Sequence, residues 1–244
     1  MPKFNAESFS DFVASRRTTR DFLPTPVPQE LIDTLLTDAM TAPSWSNTRP
    51  YLIATAQGEV RDRISKEFLA RWEQASKALG GGFLGKAKLF LTRYGLPTSD
   101  YKVNRVYPKV LQPRSARVGA ELYALLGIDR KDQKARQAQW ARNYEFFGAP
   151  VSFFVFTHSG LGEYSVSDAG LFMQNLMLSA HAHGLGTCAQ GASAVWADAV
   201  RAEFDVPEGY KLLCGIALGY PSDHRVNGFQ ADRLPISDIK LKTK

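Results

Sequence analysis

Apolar residues recur at helical spacing in several segments of this 244-residue chain, which predicts helices that each bury one face. Ser8 is a candidate cap for the first helix, and Ser165 or Ser167 for the sixth. The sixth helix is apolar on most sides, which indicates burial in a core or an interface. The predicted helices cover residues 8–15, 28–39, 59–82, 116–126, 129–147, 168–183 and about 196–204.

Three apolar runs, residues 51–55, 151–157 and 211–220, favour strands. The second run is almost entirely apolar, so we expect it to be central in a sheet and covered on both faces. Residues 83–128 are the least regular part of the chain and include a short strand or helix at 89–92. Long connections often cover ligands, so this is a candidate substrate-side segment, with a plain surface insertion as the alternative.

The composition, 44% hydrophobic and 22% charged, is ordinary for a globular protein with a substantial core. Its formal charge of +6 mildly favours anionic partners such as phosphates or carboxylates. The basic residues are spread along the chain without zinc-finger spacing or an RNA-binding aromatic signature, so no nucleic-acid partner is expected. No linker divides the sequence, so we expect a single domain over residues 1–244.

The two cysteines, Cys188 and Cys214, make no disulfide framework and are expected to be reduced residues of a core. The polar N-terminal residues do not resemble a signal segment. No apolar run reaches the roughly 18 residues that a membrane helix needs. The sequence therefore predicts a cytoplasmic protein without a membrane partner.

The stretch Arg-Arg-Thr-Thr-Arg at residues 16–20 places three guanidinium groups and two hydroxyls close together. Guanidinium groups bind phosphate through paired hydrogen bonds and always carry charge, and threonine hydroxyls both donate and accept. This combination suits a phosphate site. A solvated charge run at the end of a short helix is the alternative, and these five residues alone favour it.

Two polar loops offer further ligand contacts. Residues 43–50, Pro-Ser-Trp-Ser-Asn-Thr-Arg-Pro, carry donors and acceptors for a polar heteroaromatic ring, although an ordinary loop with Asx and Ser/Thr turns has the same composition. Residues 184–193 are small and glycine-rich, which lets a backbone approach a ligand closely.

Several motifs then follow one another in a specific order. Arg-Arg-Thr-x-Arg follows the first helix, Ala-Pro-Ser-x-Ser-Asn-Thr-x-Pro precedes the first strand, and Gly-Leu-Gly-Thr follows the long buried helix. A strand ending in Ala-Leu-Gly-Tyr-Pro and a late Arg-Leu-Pro complete the series. Together they resemble the FMN-dependent nitroreductase family over nearly the whole chain, least so over residues 58–140.

The resemblance implies an α+β fold, with a mixed central sheet flanked by helices in an intertwined homodimer. Two FMN sites would lie at the subunit interface. Within the single domain, residues 58–140 would be a variable helical or lid insertion. Residues 222–244 would be a C-terminal tail that packs on the partner subunit.

The resemblance also assigns roles to individual residues. The family's phosphate- and ribityl-binding cluster corresponds to Arg16, Arg17, Thr18 and Arg20, and its C-terminal phosphate-binding arginine to Arg233. The loop that lies along the isoalloxazine, usually from the other subunit, corresponds to Pro43, Ser44, Trp45, Ser46 and Asn47.

Other family positions concern the flavin ring. Gln190 and Gly191 match the strand and loop that face the reactive edge, where a backbone N–H points at N5. Asn143, or Arg142 beside it, falls near where some members contact the pyrimidine ring. Two departures, Arg49 where the family often has Gln and Ala231 where it often has a basic residue, imply that phosphate binding depends more on the N-terminal arginines.

The chemistry implied by the family is ping-pong oxidoreduction. NADH or NADPH would give a hydride to flavin N5, and a small electron-poor acceptor such as a nitroaromatic would then take the electrons at the same face. No catalytic acid or base of the protein and no metal is expected. The same chemistry on a quinone, an enone or a halogenated aromatic is the alternative, with residues 83–117 shaping the choice of acceptor.

Two other classes of function remain open from the sequence. A thiol or metal enzyme would use Cys188 with His181 and His183, but two histidines two positions apart on a helix point to different faces. A basic binding protein without catalysis would explain the charge but not the ordered motifs.

Overall fold

A four-stranded antiparallel sheet forms the centre of the protein, in a computed structural model that describes residues 5–80, 87, 89–102 and 107–243. The strands lie in the order β1-β2-β4-β3, so β2 and β4 are the inner pair and β3 is at one edge. In chain order they are β1 (Tyr51–Gln57), β2 (Val151–His158), β3 (Gly186–Gln190) and β4 (Tyr210–Gly219).

Strand β2 is buried along almost its whole length and supplies both hydrophobic cores. Val151, Phe153 and Val155 belong to the core on one face, whereas Phe154 and Phe156 belong to the core on the other. The division follows from the two-residue period of a strand, which sends successive side chains to opposite faces. The prediction that this run is central and covered on both faces is therefore confirmed.

Helices cover both faces of this sheet. None of the helices in the described ranges combines the length and the apolar character needed to span a bilayer. They are α1 (Ala6–Ser15), α2 (Gln29–Ala39), α3 (Gly58–Gly80), α4 (Gln112–Leu126), α5 (Gln133–Ala141), α6 (Glu163–Ala182) and α7 (Ala197–Arg201).

On one face, α2 and α6 pack side by side through buried apolar residues such as Leu35 and Phe172. On the opposite face, α3 inserts Phe68 into an aromatic cluster. The Phe68 ring centroid lies 6.0 Å from that of Trp196, which in turn lies 4.9 Å from that of Tyr144. Such large buried rings contribute much of the burial energy of a core, so this cluster fixes α3 against the sheet.

Two helix starts differ from the predictions. The cap of α1 is Asn5, whose Oδ1 accepts from the Ser8 N–H at 2.7 Å, so Ser8 lies inside the helix. Helix α6 begins at Glu163, before the predicted start. Ser165 and Ser167 are therefore not caps, and the Ser165 hydroxyl instead donates to the preceding strand at 2.6 Å.

The helix predicted over residues 129–147 is shorter than expected. Asp132 caps α5, with its side chain accepting a backbone N–H three residues later at 2.9 Å. The helix ends at Ala141, and Phe146 and Phe147 adopt left-handed φ angles of 53° and 55° while both are buried. Because both side chains are apolar, they continue the helical apolar pattern of the sequence. Left-handed φ angles, however, are incompatible with a right-handed helix.

Residues 98–100 of the predicted substrate-side segment are hydrogen-bonded to β4 and to the residues around α7. The Thr98 N–H donates to the Val195 carbonyl at 2.9 Å. The Asp100 carboxylate accepts from the Leu212 N–H at 2.7 Å and from the Arg201 guanidinium at 2.8 Å. Residues 89–92 are helical, and residues 81–86, 88 and 103–106 lie outside the described part of the chain.

Candidate functional site

The arginine-rich segment after α1 lies along the free edge of β3. Thr18 forms a parallel bridge with Thr187, and the Thr19 N–H donates to the Thr187 carbonyl at 2.9 Å. Thr19 is only 4% exposed. The segment therefore has a fixed backbone, and its arginines extend from a rigid support rather than from a free loop.

This close approach depends on Gly186 at the start of β3. A Cβ at position 186 would lie 2.7 Å from the Thr19 Cβ and 2.9 Å from its Cγ2, closer than side-chain carbons pack. Glycine lets two backbones approach at such a crossing. The Gly-Leu-Gly-Thr motif thus has a steric role in seating the arginine segment.

A cavity of about 380 Å³ opens between the end of α1, the end of α6, β3 and the C-terminal tail. Its walls combine guanidinium, hydroxyl, amide and imidazole groups with backbone from the start of β3. They include Arg16, Arg17, Thr19, His181, Thr187 and Asn227.

The cavity is strongly cationic. Partial burial and the nearby charge of Arg233 lower the pKa of Arg16. Burial, Arg16 and Arg17 likewise lower the pKa of His181. Within the described residues, Arg16 and Arg17 form no ion pair with a carboxylate. Guanidinium groups gathered without carboxylates are suited to a bound anion.

The tail residue Asn227 connects this segment to the C-terminal region. Its Oδ1 accepts from the Arg20 N–H at 2.8 Å, and its Nδ2 donates to the Asp21 carbonyl at 2.7 Å. The Arg20 side chain is half-buried and its charge acts on Cys188. The structure thus brings together Arg16, Arg17 and Arg233, while Arg20 extends from the same segment further along the β3 edge.

Two of the predicted flavin-ring residues are in direct contact. Gln190 is 3% exposed, and its Nε2 donates to the Asn143 carbonyl at 2.8 Å. Its Oε1 is buried and has no hydrogen-bond partner within the described residues. A buried amide oxygen without a donor is costly, so this atom is suited to accept from a ligand. Gly191 follows at the surface, and a Cβ there would meet no atom within 4 Å.

The loop predicted to contact the flavin ring has an unusual backbone. Ser46, Asn47 and Arg49 all have left-handed φ angles, of 47°, 58° and 45°. Such conformations cost of order 1–3 kcal/mol each for residues other than glycine and persist where the surroundings fix them. The Ser44 hydroxyl helps to fix this loop by accepting from the Arg49 N–H at 3.0 Å.

Helix α6 anchors the same loop. The Trp45 N–H donates to Oδ2 of Asp168 at 3.0 Å, and the Trp45 ring lies 4.1 Å from that of Tyr164. Asp168 is 6% exposed, so its carboxylate is a buried acceptor. Trp45 itself remains 52% exposed, which leaves its outer face available for contact with another molecule.

The loop and the arginine cavity lie at opposite ends of α6. Asp168 contacts the loop near the start of the helix, and His181 lines the cavity near its end. With a rise of 1.5 Å per residue, these two positions are about 20 Å apart along the helix. The two halves of the predicted site are therefore not adjacent within one chain.

The alternative of a thiol or metal enzyme finds no support. Burial raises the pKa of the Cys188 thiol to about 11, so it stays protonated and poorly nucleophilic at neutral pH. Across the described ranges, no three His, Cys, Asp or Glu side chains are arranged to hold a metal ion. His181 is instead part of the cationic cavity.

Comparison with known proteins decides the family. The model of the nitroreductase family matches residues 13–220. This chain belongs to the nitroreductase family. The resemblance drawn from the ordered motifs is therefore confirmed, and the match runs from the end of α1 through β4.

Curated relatives of this nitroreductase cover almost its whole length. Nitroreductase NfnB of Mycolicibacterium smegmatis (strain ATCC 700084 / mc(2)155) is 32% identical over 96% of this chain and 92% of its own. A 4-nitrobenzoate reductase of Pseudomonas putida is also 32% identical, over 93% of this chain and 92% of its own.

Solved structures agree on the fold. The crystal structure of the FMN-dependent nitroreductase NfnB from Mycobacterium smegmatis in complex with NADPH has a TM-score of 0.83 and 31% identity, covering 98% of this chain and 99% of that one. The FMN and NADPH-dependent nitroreductase NfnB from Sphigopyxis sp. strain HMH has a TM-score of 0.82 and 28% identity. That match covers 96% of this chain and 98% of that one. The nitroreductase-like α+β fold predicted from the sequence is confirmed. The expectation of a mixed sheet is wrong, because all three strand pairs of the described sheet are antiparallel.

Several contact residues of the site were not predicted. Asp168 falls in the predicted helix at 168–183 and Asn227 in the predicted tail, and the sequence assigns neither side chain a role. It relates His181 only to Cys188. Their partners lie far away in the sequence, and no local pattern marks them. A buried aspartate on an otherwise apolar helix does indicate that a hydrogen-bond donor lies beside it, here the Trp45 N–H.

We expect Gly186→Ala to weaken the seating of the arginine segment. The new Cβ would overlap the Thr19 side chain, so the apoprotein should lose about 1–3 kcal/mol in free energy of unfolding. Urea denaturation measures this. Gly119→Ala in α4 is the control, because a Cβ there meets no atom within 4 Å and alanine favours a helix. Equal stability of the two variants would contradict the steric role of Gly186.

We expect Asp168→Ala to release the loop at residues 44–49. The Trp45 N–H loses its acceptor, which is worth about 1–2 kcal/mol, so its hydrogen exchange should accelerate roughly tenfold. Exchange detected by mass spectrometry over this loop measures the effect. Asp168→Asn is the control, because its amide oxygen still accepts. Unchanged protection in Asp168→Ala would show that α6 does not hold the loop.

Proposed function

We propose that this protein is an FMN-dependent NAD(P)H oxidoreductase that reduces nitroaromatic compounds. The observation that supports this most directly is the cavity at the β3 edge, where Arg16 and Arg17 meet without carboxylate partners. The relatives named as nitroreductases and as a 4-nitrobenzoate reductase support the class of acceptor. The solved relatives that are FMN- and NADPH-dependent support the cofactors.

The donor groups of this chain fit FMN. Guanidinium groups, threonine hydroxyls and backbone amides are the usual ligands of a phosphate and a sugar-alcohol chain. The phosphate and ribityl chain would be held by Arg16, Arg17, Thr18, Arg20 and Arg233. The flavin ring would be contacted by Asn143, Gln190, Gly191 and, from the second subunit, Pro43, Ser44, Trp45, Ser46 and Asn47.

When bound, FMN supplies hydride acceptance from NAD(P)H and reduction of the acceptor. The chain's own part is binding and orientation. Gln190 is fixed by its bond to the Asn143 carbonyl, so its free Oε1 and the Gly191 backbone have a defined position at the end of β3. The arginines would neutralise the phosphate. We assign no proton transfer to a protein side chain.

We propose that the active form is a homodimer. In each chain the loop that would contact the flavin ring is about 20 Å along α6 from the phosphate cavity, so a second subunit would have to supply the loop. Exposed apolar side chains on the elements concerned support this. Among them are Phe9 on α1, Trp45 in the loop, and Tyr164 and Leu171 on α6.

The remaining organisation is also proposed. Residues 222–244 would end on the partner subunit, which is supported by the exposure of Ile236, Ile239 and Leu241. Residues 58–140 would form the variable helical insertion of a single domain. A cytoplasmic location is supported by two buried cysteines that form no disulfide.

Alanine at Arg16 or Arg20 should release FMN while leaving the fold largely intact. A lost charge-assisted hydrogen bond to phosphate is worth about 1.5–3 kcal/mol, which corresponds to roughly 10- to 100-fold weaker FMN binding. Quenching of flavin fluorescence measures the dissociation constant, and riboflavin, which lacks the phosphate, should be affected far less. Lys66→Ala on α3 removes the same charge from an exposed position and is the control. Full flavin occupancy in both arginine variants would mean that the segment is a solvated charge run.

The function is tested by turnover. Protein reconstituted with FMN should oxidise NADH or NADPH in the presence of 4-nitrobenzoate or a related nitroaromatic. Double-reciprocal plots at several acceptor concentrations should be parallel, because a single site serves both substrates in turn. A panel that includes a quinone and an enone identifies the preferred acceptor. The proposal is overturned if the protein neither binds FMN nor oxidises NAD(P)H.

A further inference from the structure

His181 lies at the end of α6, in the wall of the cationic cavity, with a defined tautomer. Its Nε2 is 2.7 Å from the Ser15 hydroxyl, which is also 2.8 Å from the Phe12 carbonyl. A carbonyl only accepts, so the hydroxyl proton of Ser15 is directed to Phe12. The Ser15 oxygen must therefore accept from His181, and Nε2 carries a hydrogen.

The other ring nitrogen is available. Nδ1 of His181 has no hydrogen-bond partner in the part of the chain that the structure describes, so in the neutral ring it holds a lone pair. Protonation there would create a second N–H donor without disturbing the bond to Ser15. The ring is also held by Phe12, whose centroid lies 5.1 Å away, so its orientation is fixed before any ligand arrives.

The charged groups that act on the ring are both cations. On the segment after α1, Arg16 and Arg17 face it, and among the described residues no carboxylate from α1, α6 or the tail acts on it. Burial and these two arginines lower the pKa of His181 below its usual 6.5. Without a ligand the ring is therefore neutral at neutral pH.

We propose that His181 is a further phosphate-binding group of this cavity and takes up a proton when the phosphate of FMN binds. The inference rests on the proposed function. A phosphate brings between about −1.5 and −2 charges into the cavity, which offsets the positive field that Arg16 and Arg17 impose on the ring. The imidazolium then becomes the favoured form, and its charge and new N–H add to the binding of the anion.

The sign of the pH dependence follows. The free protein has the lower His181 pKa and the FMN complex the higher one, so binding takes up a proton between these two values. Lowering the pH through this window therefore strengthens binding through His181. The phosphate, with its own pKa near 6, acts in the opposite direction, but it does so equally in any variant.

Calorimetric titration with FMN measures the proton uptake. At pH 6.5, titrations in two buffers of different ionisation enthalpy give the number of protons bound per FMN. Wild-type protein should take up roughly 0.3–0.6 more protons than His181→Gln, which keeps a donor for Ser15 but does not titrate. His183→Gln, two positions away and exposed, is the control and should match the wild type. With riboflavin, the difference between wild type and His181→Gln should vanish.

The affinity should show the same effect. From pH 8 to pH 6, the ratio of FMN affinities of wild type to His181→Gln should rise about three- to tenfold, since one pKa unit corresponds to a factor of ten. Histidine NMR on the wild type provides a measurement that needs no variant. One of the four histidine pKa values should rise on addition of FMN and not of riboflavin.

Equal proton uptake by wild type and His181→Gln, or no histidine pKa that rises with FMN, would overturn the role of His181 while leaving the proposed cofactor intact. An equal effect with riboflavin would overturn the link to phosphate. If the wild type bound no FMN at all, the proposed function and this inference would both fail.

Discussion

The backbone pairing between the arginine segment and β3 is the constraint on which the candidate site depends. The bond from Thr19 to Thr187 covers the free edge of the sheet and fixes where the arginines begin. An uncovered strand edge is open to pairing with another chain, so this contact stabilises the monomer fold as well as the site. The absence of a side chain at Gly186 makes the pairing possible. Gly186 thus lets the segment pair with the rigid sheet, and this pairing sets the position of the arginines.

Helix α6 separates the two parts of the site. At its start, the buried carboxylate of Asp168 holds a loop in a backbone conformation that its residues rarely adopt alone. At its end, His181 contributes to the arginine cavity. Because a helix is stiff over about 20 Å, the two parts keep a constant separation within one chain. Under the proposed homodimer, the two ends that contact one flavin would come from different copies, which would account for the exposed apolar side chains of α6.

The sequence predicted β2 well because nearly every residue of that strand is apolar, and both faces are buried. It misplaced the start of α6 because residues 163–167 lack a helical apolar pattern. It extended α5 through Phe146 and Phe147 because apolar side chains do not reveal left-handed φ angles. At the site, Arg16 and Arg17 were identified by residue type, whereas contacts such as Trp45 with Asp168 join positions more than 100 residues apart and have no local signature.

The charge arrangement links stability to ligand binding. Partial burial adds a desolvation cost to Arg16, and the charge of Arg233 repels it, and both effects lower the pKa of Arg16. Carboxylates could offset this cost but would also occupy the arginines and exclude an anion. The described residues leave these arginines without such partners, so the folded chain retains an electrostatic repulsion that a bound phosphate would relieve. A ligand that binds only the folded state stabilises that state. Here a bound phosphate would act on the repelling arginines, which destabilise the unliganded protein.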